Sequence, residues 1–202
     1  MTSEIMAIGQ WRTNADMIAD AVVPLGYLHE DWVTLDPTYG YGKWWTRWKP
    51  RELVGSDLDL SKSPIGISVD FTDMPWPDRS FQAVAYDPAY KLNGTPTAQK
   101  DERYGVHVVA TRAEREATML AGLTECERVL GPEGFLLVKC QDMVNGGRVR
   151  WQTDDFTRHA RSLGLDKVDA LLFQSHRPQP VGRRQLTARR NYSTLLIFKK
   201  GK

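Results

Sequence analysis

The chain has 202 residues, enough for one well-packed core and short for two. Charged residues make up 26% and hydrophobic residues 41%, a globular balance that excludes a disordered or fibrous chain, and no apolar run approaches membrane-spanning length. The net charge of +2 is too small to imply nucleic acid by itself, and the two cysteines, Cys126 and Cys140, lack metal-ligand or redox spacing. They read as reduced, buried thiols, and no metal site is expected. The first residues carry neither a basic flank with an apolar core nor a small-residue cleavage site, so the expected location is the cytoplasm.

Thr13 reads as a helix cap, with Met17, Ile18, Ala21 and Val22 at helical spacing before Pro24 and Gly26 stop the run. An N-terminal helix is expected within residues 1–31. Trp32, Val33, Thr34 and Leu35 form a short apolar strand pattern ending in Asp36 and Pro37, followed by the glycine loop of Thr38, Tyr39, Gly40, Tyr41 and Gly42. Residues 53–56 lead to Asp57, residues 65–69 to Asp70, and residues 83–86 to Asp87, so four predicted strands end on an aspartate. A helix is predicted over 111–130, with Ala117, Leu120, Ala121, Leu123, Thr124 and Val129 largely on one side, ended by Gly131, Pro132, Glu133 and Gly134. A fifth strand follows at 135–138, and Thr153, Asp154 and Asp155 cap a helix that runs to Leu163 and Gly164. The last strands, 168–173 and 193–198, have no long helix between them and are expected to pair antiparallel. Strands alternating with helices and reading as continuous apolar runs imply an α/β fold with a mainly parallel sheet covered on both faces.

In an open α/β sheet, ligands bind beyond the carboxyl ends of the strands, where the four aspartates would sit. Clustered like charges repel unless each has a ligand partner or water. Glycines after the first strand let a ligand approach the backbone. The loop lacks both the GK[ST] ending and the full GxGxxG spacing, so nucleotide phosphates are not specifically indicated. Asp57, at the end of the second strand, suits ribose hydroxyls. An acid and a glycine loop without a phosphate site fit S-adenosylmethionine, whose ammonium needs carboxylate neighbours and whose ribose needs a second acid. Residues 176–190 hold five arginines and no acid, which reads either as a solvated loop or as a phosphate-contacting patch. The polar, glycine-containing segment 91–111 reads as a substrate loop or a connector. Trp44, Trp45 and Trp48 read first as core packing, and otherwise as a cover for the cofactor or a stacking surface for substrate.

The stretch VDFTDMPWPDRSFQAVAYD resembles the third-to-fourth-strand segment of class I methyltransferases that use S-adenosylmethionine. Asp87, Pro88, Ala89 and Tyr90 look like the DPPY-type motif of the amino-methylating DNA methyltransferases, and Ala89 departs from its second proline. Arg103, Tyr104 and Gly105, with VKCQD, RWQT and ARRNYSTLLIFKK, are similar to short DNA methylases of phages and their bacterial hosts. The resemblance implies one Rossmann-like three-layer domain over 1–202, with a seven-stranded, mainly parallel sheet and an antiparallel last strand. It implies that Asp36, Tyr39, Gly40 and Gly42 line the methionine end of the cofactor, Asp57 the ribose, Leu58 one adenine face, and Asp70 with Phe71 the adenine edge. Asp87 and the Pro88 carbonyl would hold the hydrogens of a base amine, and Tyr90 would stack on the base. An aromatic amine has its lone pair delocalised, so two acceptors that favour a tetrahedral nitrogen and stabilise developing positive charge assist its attack. Lys91, Arg103, Arg177, Arg183, Arg184, Arg189 and Arg190 would contact the nucleic acid. The expected activity is adenine N6 methylation of DNA, with cytosine N4 or an RNA base amine as alternatives. A non-catalytic subunit that binds cofactor or nucleic acid is a third reading. Target recognition is expected to come from a homodimer or a separate subunit, because 202 residues leave no space for a large recognition domain.

Overall fold

The computed structural model describes residues 4–9, 11–90, 92, 110–174, 187–188 and 190–202. Nine strands are described: β1 (Ile8–Gly9), β2 (Val33–Asp36), β3 (Glu52–Gly55), β4 (Phe81–Tyr86), β5 (Leu130–Cys140), β6 (Met143–Asn145), β7 (Arg148–Arg150), β8 (Leu165–Gln174) and β9 (Tyr192–Lys200). Seven of them form one sheet in the order β1, β8, β9, β5, β4, β2, β3, while β6 and β7 form a separate hairpin. Only β9 runs against the others, antiparallel to both β5 and β8, as the missing helix between the last two strands implied.

The sheet reaches seven strands by a different route from the predicted one. Residues 65–69 do not form a strand; Ser68 makes a single parallel bridge to Asp57, and Gly66 sits in a turn at φ +74° with its N–H on the Ser63 carbonyl. Pro64 and Gly66 break the run, and Ile65 and Ile67 face solvent. The seventh strand is instead β1, which pairs with β8 through Ile8 and Gly9.

Helices cover both faces. The helix α1 (Asn14–Met17) passes into a π-helical turn (Ile18–Val22), and its start is closed by a capping box in which Thr13 and Asp16 satisfy each other's backbone N–H groups. Thr111 and Glu114 close α2 (Arg112–Val129) in the same way. The next helix, α3 (Gln152–Ser162), starts without a side-chain cap, so Thr153 is inside it rather than ahead of it. The buried side of α2 carries Met119, Leu123, Cys126 and Val129; Ala117 and Ala121, expected on that side, are exposed. The predicted GPEG stop is a bulge within β5, where Leu130 pairs with Phe81 and Phe135 with Ala83.

Alternation along the strands divides the interior into two cores. Val84, Tyr86, Leu136 and Val138 face α2 and α3, whereas Ala83, Ala85 and Leu137 face α1, the π turn and the indoles of Trp44 and Trp45. On the first face α2 comes close enough that a Cβ on Gly122 would lie 2.4 Å from both a Phe71 ring carbon and the Tyr86 hydroxyl. Gly122→Ala must therefore push α2 off the sheet or turn Phe71. It is expected to cost roughly 1–3 kcal/mol of stability, read as a lowered urea midpoint with an unchanged slope.

Candidate active site at the carboxyl edge of the sheet

Register brings the functional groups together. Leu35 pairs with Val84, and Tyr86 with Val138, so Asp36 follows the end of one ladder and Asp87 stands beside Lys139 in the next. Leu35, Tyr86 and Val138 point into the α2 core, so Asp36, Asp87 and Lys139, each one residue further on, point to the opposite side. Three neighbouring strands thus set two carboxylates and an ammonium in a row at one edge.

Each acid is held by an indole. The Trp45 Nε1–H donates to Asp36 Oδ2 at 2.7 Å, and the Trp44 Nε1–H donates to Asp87 Oδ2 at 3.0 Å. Trp44 and Trp45 belong to the core, at 6% exposure each, and reach the site at the same time. Thr38 joins the two acids: its N–H and hydroxyl donate to Asp36 Oδ1, at 3.0 and 3.3 Å, and its Oγ1 accepts the Asp87 N–H at 2.8 Å. Lys139, 1% exposed, donates from Nζ to Asn14 Oδ1 at 2.7 Å and lies 4.9 Å from the Phe173 ring centre.

Burial dominates the electrostatics. It pushes the Asp36 carboxyl up to about 7, against the Trp45 and Thr38 hydrogen bonds, with the Asp87 charge adding to the rise. It pushes Asp87 up to about 6, against the pull of the Lys139 charge and the Trp44 hydrogen bond. The same burial brings Lys139 down to about 8, with Asp87 and Cys140 opposing. Among the described residues, neither acid has an ion-pair partner within 4.0 Å.

The glycine loop shows why glycine is needed at two positions. Gly40 (φ +56°) and Gly42 (φ +62°) are both left-handed. A Cβ on Gly40 would meet only the Thr38 carbonyl, at 3.9 Å, so there is open space over the loop at this point. A Cβ on Gly42 would strike the Tyr39 ring, which also packs against Gly55, so Tyr39 is a wedge under the loop. Asp57 accepts the Gly40 N–H at 2.9 Å and the Asp59 N–H at 2.9 Å, tying the loop to the end of β3. Leu58 is exposed, and Asp70 is exposed with its Oδ1 accepting from the Thr72 N–H and hydroxyl. Phe71 packs edge-on to Tyr86, 5.5 Å between ring centres. Pro88 is buried, and Tyr90 is half-buried against the α2 core with its carbonyl accepting the Gln152 Nε2–H at 3.0 Å.

Of the predicted nucleic-acid contacts, Lys91, Arg103, Arg177, Arg183, Arg184 and Arg189 lie outside the described residues, as do most of the segments 91–111 and 175–191. Arg190 is described, with its guanidinium 4.8 Å from the Trp151 ring centre. The sequence reading missed Lys139 and Asn14. Their signal was a charged residue in the apolar run FLLVKC, taken as the end of a strand that in fact continues through it. Among the described residues there is no group of three or more His, Cys, Asp or Glu that could hold a metal, and no helix is long and apolar enough to cross a membrane.

No protein-family model and no curated protein matches the chain. Solved structures do. A protein described provisionally as a methyltransferase, BH2331 from Bacillus halodurans C-125, superposes with a TM-score of 0.60 at 14% identity, over 90% of this chain and 97% of that one. The S-adenosylmethionine-dependent methyltransferase TM1293 from Thermotoga maritima gives 0.55 at 14% identity, over 94% and 88%. TTHA0409 from Thermus thermophilus, described provisionally as a DNA modification methylase, gives 0.47 at 18% identity over 66% of this chain, which spans about half (52%) of that protein. The fold is the Rossmann-like α/β fold of S-adenosylmethionine-dependent methyltransferases.

Proposed function

We propose that this chain is an S-adenosylmethionine-dependent methyltransferase that acts on an exocyclic amine of a nucleic-acid base, with adenine N6 of DNA as the favoured target. The reading rests on Asp87: a carboxylate at the carboxyl edge of the sheet, fixed by an indole, joined through Thr38 to the acid that precedes the glycine loop, and followed by Pro88 and Tyr90.

The residues present fit the cofactor. Asp36, buried and without an ion-pair partner among the described residues, suits a ligand that carries an ammonium, and open space over Gly40 suits a ligand lying close to the backbone. Asp36, Gly40 and Gly42 would hold its amino-acid end, Asp57 its ribose, and Leu58, Asp70 and Phe71 its adenine; Tyr39 would support the loop from beneath. When bound, the cofactor supplies a methyl group on a positively charged sulfur. Asp87, oriented by Trp44, would accept a hydrogen bond from the base amine together with the Pro88 carbonyl, raising the nitrogen's electron density and balancing the positive charge that grows on it. Tyr90 would stack on the base, a contact worth about 1–3 kcal/mol in comparable sites. A base in a duplex would have to leave the stack to reach this corner. Ala89 keeps the backbone acceptors of the turn while removing one proline constraint.

Calorimetry with S-adenosylmethionine, followed by transfer of a labelled methyl group to DNA and RNA oligonucleotides and mass spectrometry of the nucleosides, tests the proposal. N6-methyladenine in DNA is the expected product; N4-methylcytosine or a methylated RNA base would relocate the substrate. Nucleic-acid binding without cofactor binding would replace the enzyme with a non-catalytic subunit.

A further inference from the structure

The hairpin of β6 and β7 is not explained by the fold. It stands apart from the main sheet between β5 and α3, and a two-stranded hairpin is marginal alone. Its tip is a two-residue turn with both glycines left-handed, Gly146 at φ +59° and Gly147 at φ +75°, the arrangement that matches strand twist. Its feet are secured by two glutamines. The Gln141 N–H donates to Gln152 Oε1 at 3.2 Å, and Gln141 Nε2 donates to the carbonyls of Arg190 and Tyr192, both at 3.1 Å. Gln152 Nε2 donates to the Tyr90 carbonyl. One hydrogen-bonded chain therefore joins the hairpin, the segment carrying Arg190, and the residue placed to stack on the target base.

The hairpin surface is basic and aromatic. From Met143 to Trp151 it carries Arg148 and Arg150 and no acid. Trp151 is 44% exposed, with the Arg190 guanidinium against its ring. The Nε–H groups of Arg150 and Arg190 are shielded from water and meet no acceptor among the described residues. Behind Trp151, a cavity of about 650 Å³ opens between the hairpin, α2 and α3, lined in part by Arg112, Met119, Phe156 and Arg158. Its wall also carries three carboxylates: Glu116 pairs with Arg112 and Asp155 with Arg158, both on the same wall, and Asp154 is exposed.

Resting on the function proposed above, we infer that the β6–β7 hairpin and the Trp151–Arg190 pair form a clamp for the nucleic-acid strand beside the target base. Arg148 and Arg150 meet its phosphates, and Trp151 stacks on a neighbouring base. Single-stranded nucleic-acid sites combine sequence-tolerant stacking of bases on aromatic rings with cation–π contributions from arginine. The glutamine chain keeps this platform in fixed register with Tyr90.

The test is binding of fluorescein-labelled DNA and RNA oligonucleotides by the full chain, with Arg148→Ala/Arg150→Ala, Trp151→Ala and Trp151→Phe variants. Trp151→Ala should weaken binding by about tenfold or more, and Trp151→Phe should recover most of it. The double arginine variant should reduce the slope of log affinity against log salt by about 1.4–1.8. An oligonucleotide carrying 5-iodouracil next to the target position should crosslink to Trp151 in the wild-type chain, which needs no variant to fold. Unchanged affinity and salt slope in all variants, or crosslinks confined to other residues, would overturn the clamp while methyl transfer by the wild type left the catalytic reading standing. A wild-type chain that binds no nucleic acid would overturn both.

Discussion

Replacing Asp87 with asparagine is expected to make the protein more stable and nearly inactive at once. Asparagine keeps the shape and an oxygen for the Trp44 indole but carries no charge. The Asp87 carboxyl is raised from 3.8 to about 6 in the folded state, so the fold binds more protons than the unfolded chain between those values, and wild-type stability falls as pH rises through that window. At about 1.4 kcal/mol per pH unit between the two values, the ionised carboxylate costs roughly 3 kcal/mol above pH 6. Asp87→Asn should therefore be more stable than wild type by up to that amount at pH 8, with the gain vanishing towards pH 4, in urea titrations across pH. Methyl transfer should fall by about 10²–10³-fold, the usual effect of removing one preorganised group that balances transition-state charge. Loss of activity with no gain in stability would mean that burial does not strain this carboxylate. Retained activity would remove Asp87 from the mechanism. Opposed effects of this kind mark a position kept for chemistry rather than for folding.

Lys139→Met separates the ammonium's two roles by pH. The lysine is lowered from 10.5 to about 8, so its charged form is disfavoured in the fold. The unfolded chain binds more protons between pH 8 and 10.5, and wild-type stability gains from this group as pH rises through that interval. The stability of the methionine variant relative to wild type should accordingly decline by about 3 kcal/mol from pH 8 to 10.5. Taking the difference between the two proteins cancels Cys126 and Tyr86, which titrate the opposite way and do not feel Lys139, whereas Cys140 beside the ammonium is moved up further by its loss. Activity should change at the other end of the scale. Without the positive charge beside it, Asp87 stays protonated to higher pH, so the acidic limb of the rate profile should move up by about one pH unit. A uniform loss at every pH would instead indicate that Lys139 only packs the site.

The parts of this site that were legible in the sequence are those written in consecutive residues. The acid and glycine loop of residues 36–42 and the Asp87, Pro88, Ala89, Tyr90 segment occupy the ends of β2 and β4, and Thr13 and Thr111 cap helices as their spacing implied. What was not legible depends on partners far apart in the chain. Lys139 looked like the end of a strand because a buried ammonium needs Asn14, 125 positions away, and Asp87 at the end of another strand. Trp44 and Trp45 read first as core, or as a cover for cofactor or substrate, and neither reading foresaw the acid that stands at each indole N–H. The apolar residues 65–69 had strand composition, yet Pro64 and the left-handed Gly66 turn them into a bend. On α2, helical spacing put Leu123 and Val129 on the buried side as found, but with Ala117 and Ala121 where Met119 and Cys126 stand; the close approach at Gly122 fixes the side that packs.

The two indole-bound acids give this edge of the sheet the character of an ion exchanger. With Asp36 raised to about 7 and Asp87 to about 6, chiefly by burial, both carboxyls are partly protonated under mildly acidic to neutral conditions. A cationic guest would displace those protons rather than add its charge to an ionised site, so part of its binding energy would go into their release. The guest's apparent affinity would then fall with acidity even though its own charge is constant. Asp36 and Asp87 would thus make occupancy of the site respond to the proton concentration around it.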